Sequence, residues 1–68
     1  MDIRIEYKLF KNVGGTLIAE KFNRFEVITV RNDLDPNSPE GTDEIKTELA
    51  EVIGEPKSNI KLINDYPV

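Results

Sequence analysis

The chain has no cysteine and no histidine. Without thiols there is no disulfide framework, no thiolate nucleophile and no zinc site built on sulfur. Without imidazole the commonest general base is missing, and so is every Ser-His or Cys-His arrangement. Acid–base work would fall to carboxylates, lysines and tyrosines. This inventory predicts a protein that is not an enzyme and has no resident cofactor, with calcium at an acidic loop as the one candidate exception. No apolar run approaches the roughly 20 residues that cross a bilayer, so no membrane partner is expected. The opening segment MDIRIEYKLFK alternates charge and hydrophobe instead of placing a basic stretch before an apolar one, which predicts no signal peptide and a cytoplasmic location.

What is present is a short, charged chain. With 38% apolar and 32% charged residues, the 68 residues have the composition of one soluble globular domain. A domain of this length buries only ~60% of the surface its unfolded chain exposes, so a single sheet layer against a single helix is expected. The net charge of −4 divides unevenly. Residues 1–31 carry six Lys/Arg against four acids, a balance of +2, and residues 32–68 carry three lysines against nine acids, a balance of −6. A split of this kind can mark an interaction surface or be incidental in so short a chain.

Hydrophobic periodicity gives the order of elements. Ile3, Ile5, Tyr7 and Leu9 alternate with Asp2, Arg4, Glu6 and Lys8, the period-two pattern of a half-buried strand. Gly14 and Gly15 then supply a hairpin turn. A turn centred on Val13-Gly14 sets Leu9 opposite Ile18, Ile5 opposite Phe22 and Glu6 opposite Lys21. The β-branched run FEVITVR reads as a third strand, and the apolar phase slips between Lys21 and Arg24, as a turn or as a bulge in one long strand. In TDEIKTELAEVIG, Ile45, Leu49, Val52 and Ile53 fall on one helical stripe, ended by Gly54 and Pro56. The prediction is an α+β two-layer domain of β-β-β-α-β order, a mainly antiparallel sheet with one helix on one face. Strands are expected over about 2–11, 16–22, 25–31 and 60–66, a connection over 32–41 and the helix over about 42–53.

The connection RNDLDPNSPEGTDE is acidic and rich in turn residues. Asp33, Asp35 and Asn37 have 1-3-5 spacing and Glu44 lies at the twelfth position, where oxygens converge on a hard cation. This D-x-D-x-N skeleton with a distal glutamate resembles the EF-hand calcium loop over those twelve residues. The resemblance implies calcium ligands at Asp33, Asp35, Asn37 and Glu44. The sequence departs from that pattern with Ser38 at the glycine position, Glu40 at the apolar position and a strand in place of the leading helix. The same residues also serve plain structure. Asp and Asn close turns, and either Ser38 before Pro39 or Thr42 before Asp43 makes a helix N-cap.

Two surfaces suggest partners. Glu44, Glu48, Glu51 and Glu55 form an acidic ridge at ~100° per residue, whose like charges at i, i+4 repel one another and would attract a basic protein. Phe10 and Leu17, with Ile28 and Val30, would form an apolar patch on the sheet face away from the helix, suited to a protein partner or to self-association. Arg4, Lys8 and Phe10 offer a third reading, single-stranded nucleic acid stacked on a basic aromatic sheet, which an acidic chain of pI ≈ 4.7 disfavours. The leading expectation is a small non-catalytic binding or regulatory module acting through a protein–protein contact.

Overall fold

The structure, a computed structural model, describes residues 1–68 in the order β1 (Asp2–Val13), β2 (Thr16–Ala19), β3 (Arg24–Thr29), α1 (Pro39–Ile53) and β4 (Ile60–Pro67), with one 3-10 turn at Lys57–Asn59. This is the expected β-β-β-α-β domain. β1 is the spine of an antiparallel four-stranded sheet: β4 pairs with its residues 3–9, β3 with its residues 2–7 and β2 with its residues 10–13. The four-residue connection Glu20–Asn23 is too short to cross β1, so β2 and β3 follow one another along one edge and β4 takes the other.

The hairpin register differs from the expected one. Lys11 faces Ile18 and Phe10 faces Ala19, a shift of two positions, because the turn uses Gly14 and Gly15 together. Their φ angles of 59° and 85° meet the type I′ requirement for two positive φ values, which Val13 could not adopt without strain. Asn12 Oδ1 accepts from the Gly15 amide at 3.0 Å and closes the turn. Thus Ile5 does not face Phe22, Leu9 does not face Ile18, and Glu6 faces Phe25 rather than Lys21.

Between Lys21 and Arg24 the bulge reading is the one found. From Phe10 back to Tyr7, β1 advances three positions, whereas from Ala19 to Arg24 its partner advances five, leaving two surplus residues. Two is an even number, so the inside–outside alternation is preserved across the bulge. Ile28 therefore points at the helix, opposite Ile3, and Phe25 and Val27 take the other face. The expected places of Ile28 and Val30 on the open face are corrected accordingly: Ile28 is core and Val30 packs against it. Phe22, expected inside, lies within the bulge and is 75% exposed.

The core is Ile3, Ile5, Tyr7, Leu9, Ile28 and Ile60 from the sheet with Ile45 and Leu49 from α1. Leu34, the one large hydrophobe in the acidic connection, closes its edge. Of the predicted helical stripe, Ile45 and Leu49 are buried and Ile53 is partly so, but Val52 stays exposed. The helix begins three residues earlier than expected. Ser38 is its N-cap, with Oγ accepting from the Gly41 amide at 2.9 Å, and Pro39 supplies a preset φ at the first helical position. Gly41 is what permits this start, since a Cβ there would lie 1.8 Å from the Asp35 carbonyl oxygen. At the other end Gly54 takes the left-handed conformation at φ 72°, and its amide returns to the Ala50 carbonyl. No helix is long and apolar enough to cross a membrane.

Candidate interaction surface

The residues expected to ligate calcium are held by other partners. Because the helix starts at Pro39, Glu44 lies in its second turn, and its Oε2 accepts from Arg31 Nε at 2.9 Å. The same arginine approaches Asp33 at 3.5 Å. Asp35 Oδ1 accepts from the Asn37 amide at 2.9 Å, closing an Asx turn, while the Asp35 carbonyl accepts from Ser38 Oγ. Nowhere in the chain do three acidic side chains gather at ion-binding distance. Asp33, Asp35, Asn37 and Glu44 therefore do not converge in this structure; they knit the connection and tie it to Arg31. The nearby carboxylates, Glu44 first, strengthen the hold of the Arg31 guanidinium on its proton.

The acidic ridge is shorter than its spacing suggested. Glu44 is engaged by Arg31, and Glu55 lies beyond the Gly54 cap, off the helix. Glu48 and Glu51 remain as the outward pair, half-buried and exposed respectively. Phe10 and Leu17 do share the face away from the helix, since Phe10 pairs with Ala19 and Leu17 with Asn12. They lie on the projecting hairpin, however, with Leu17 56% exposed and Phe10 half-buried, and they are not joined by Ile28 or Val30.

The main feature of the open face lies lower on the sheet. Register places Val27, Arg4 and Tyr66 side by side across three strands, with Phe25, Glu6 and Asn64 in the next row. Phe25, Val27 and Tyr66 are 49%, 47% and 42% exposed. The Arg4 guanidinium carbon lies 5.0 Å from the Phe25 ring centroid, a cation–π arrangement that covers one face of the ring. Around Arg4, these three side chains with Glu26, Pro67 and Val68 line an open groove of about 730 Å³.

Glu6 organises the centre of this face. Its Oε2 accepts from Asn23 Nδ2 at 2.7 Å, and its Oε1 accepts from the Tyr66 hydroxyl at 3.0 Å and from Asn64 Nδ2 at 3.3 Å. Three donors to one carboxylate favour its charged form, and Asn23 acts most strongly in holding the Glu6 carboxyl below its ordinary range. The hydrogen bond it donates to Glu6 raises the Tyr66 phenol, which keeps its proton more firmly. Asn23 belongs to the bulge and Asn64 to β4, so this one carboxylate ties both edges of the sheet to its spine.

A smaller recess lies where the helix ends, lined in part by Tyr7, Phe10, Glu20, Arg24 and Ile53. Glu20 accepts from Arg24 Nε and Nη2 at 2.7 and 2.8 Å, which lowers the glutamate and raises the arginine. Burial pushes the Tyr7 phenol up.

Of the residues on the open face, the alternation in β1 assigned Arg4 and Lys8 correctly. Phe25, Val27 and Tyr66 could not be placed without the size of the bulge and the register of β4. The aromatic side chains of FEVITVR and NDYPV were the available signal. No protein-family model, no curated protein and no solved structure matches the chain.

Proposed function

We propose that the protein is a small non-catalytic binding module that meets a protein partner through the uncovered face of its sheet. The observation that carries this reading is the groove around Arg4, where Phe25, Val27 and Tyr66 stand half-exposed together on one sheet face. Three strands fix these side chains by register, so little ordering entropy is lost on contact, and aromatic side chains with arginine are the residue types that dominate protein interfaces. The open face is favoured over the helix ridge because Glu44 is already engaged by Arg31 and Glu55 has left the helix.

A photo-reactive amino acid placed at Val27 tests this, with a second placed at Glu51 on the helix for comparison. In extracts of the source cells, the expected result is one discrete protein adduct at position 27 that disappears when Phe25→Ser is added. No adduct, a nucleic-acid adduct, or equal labelling from position 51 would overturn the reading.

A further inference from the structure

The basic side chains of the open face are not distributed as a solvated sheet would have them. Lys8 and Lys61 sit directly opposite one another on β1 and β4, a like-charge cross-strand pair that disfavours the sheet it belongs to. Neither forms an ion pair, and neither does Arg4; the four ion pairs of the molecule use Arg24, Arg31 and Lys57. The face carries acids too, but they are occupied. Glu6, between Arg4 and Lys8, accepts from three neutral donors and keeps its charge, and Asp2 accepts from the Thr29 hydroxyl at 2.7 Å. Glu26, at the edge of the groove, pairs with Ile5 and so belongs to the helix side of β3, where it accepts from the adjacent Val27 amide at 3.3 Å. Arg4 and the Lys8–Lys61 pair are thus two cationic points with no ion-pair partner of their own, three positive charges against the two of Glu6 and Asp2. Arg4 and Lys8 are four residues apart on a regular strand, a separation of ~13 Å at ~3.3 Å per residue.

We propose that this face takes an extended acidic segment of a protein partner, one carboxylate on Arg4 and a second, four residues along that segment, on the Lys8–Lys61 pair. An extended segment has the same rise per residue as β1, so acids at i and i+4 fall on one side of it and match the two cationic points in spacing. Arg4 suits the first contact because Phe25 supports the face of its guanidinium and leaves the N–H edge free to grip a carboxylate in two bonds. An apolar side chain two residues beyond that acid enters the end of the groove lined by Val27 and Val68. Single-stranded nucleic acid would approach the same cations but finds less here. One face of the Phe25 ring is taken by Arg4, the Tyr66 hydroxyl is tied to Glu6, and a chain of net charge −4 repels a polyphosphate more than it repels two carboxylates.

This inference rests on the open face being a protein-contact surface and adds the chemistry of what it contacts. The test is a titration of the full chain, followed by its amide NMR spectrum, with the capped peptide Leu-Ser-Glu-Ser-Thr-Ser-Glu, which presents Leu, Glu, Thr and Glu on one side when extended. The comparison peptides carry Gln or Lys at both Glu positions, and an oligothymidylate of the same length serves as the nucleic-acid arm. The expected result is saturable shifts at Arg4, Lys8, Phe25, Val27, Lys61 and Tyr66 in the millimolar range or below, with the acidic peptide alone. Arg4→Gln and Lys61→Gln should each weaken binding about fivefold, the size of one well-placed exposed ion pair, while leaving the amide spectrum of the free protein folded. Equal binding by the Gln or Lys peptide overturns the acidic specificity and leaves the protein-contact reading standing. Tighter binding by the oligothymidylate overturns both. No shift from any peptide at millimolar concentration overturns this inference, and labelling from position 27 then decides the broader reading by itself.

Discussion

The two ends of β1 are built from the same alternating pattern and meet different fates. From Ile3 to Leu9 every second side chain is buried under α1; from Phe10 to Val13, paired with all-exposed β2, none is. The reason is length. A helix of 15 residues reaches about 22 Å at ~1.5 Å per residue, whereas the 12 residues of β1 extend to ~40 Å, close to the molecule's 41 Å long axis. One helix cannot roof the whole sheet, and the hairpin projects beyond it. Alternation therefore reports which face a side chain takes. Whether that face is covered depends on the element laid against it.

The sharpest test of this division is a pair of truncations. Leu49→Ala removes a fully buried side chain beneath the roof, and a loss of about 2–5 kcal/mol is expected in urea unfolding, enough to unfold much of so small a domain. An intermediate effect is expected at the junction of helix and connection. Gly41→Ala drives a Cβ into the Asp35 carbonyl and should cost about 1–3 kcal/mol, with exchange protection lost first over residues 35–45. On the arm, Leu17→Ser should change stability by less than ~0.5 kcal/mol, because its side chain is left in water in either state. A large loss at Leu17 would show that the arm is covered in solution and would break the comparison.

The smallest effect is seen as a slope with pH. The folded state holds the Glu6 carboxyl below its ordinary range, so it binds fewer protons there than the unfolded chain does. The stability this provides is complete above the unfolded glutamate value of 4.5 and is lost as pH falls through the lower folded value. Glu6→Gln should flatten the acid limb of the stability curve in that window and leave the neutral-pH spectrum of the arm unchanged. An unaltered limb would mean that the Asn23, Asn64 and Tyr66 contacts do not persist in solution.

Much of the architecture was legible in the sequence. The inward set Ile3, Ile5, Tyr7 and Leu9, the helical pair Ile45 and Leu49 and the Gly54 stop all follow from periodicity and cap chemistry. The places that were not legible share a cause: each depended on a quantity that only tertiary pairing sets. The two glycines allowed two turn placements, and the choice moved every hairpin partner by two positions. The apolar slip near Lys21 suggested a change of face, but the bulge holds two residues and restores the phase, which sends Ile28 inward and Phe25 outward. Two caps were available for the helix, and the close approach of Gly41 to Asp35 decides for Ser38. In the acidic loop, the pairing of Arg31 with Glu44 and Asp33 was likewise invisible in the spacing along the chain.

The bulge between β2 and β3 has a further consequence, for how the chain can change in length. Everything beyond it, from Phe10 to Ala19, closes on itself through the type I′ turn and contributes no residue to the core. Residues added or removed in facing pairs at Gly14-Gly15 lengthen or shorten the arm and leave the register of β1 with β3 and β4 as it is. A single-residue insertion between Ile3 and Leu9 would instead turn the core face outward from that point on. The hairpin tip is thus where this domain can accept a graft, a tag or a longer finger without refolding the part that holds it together.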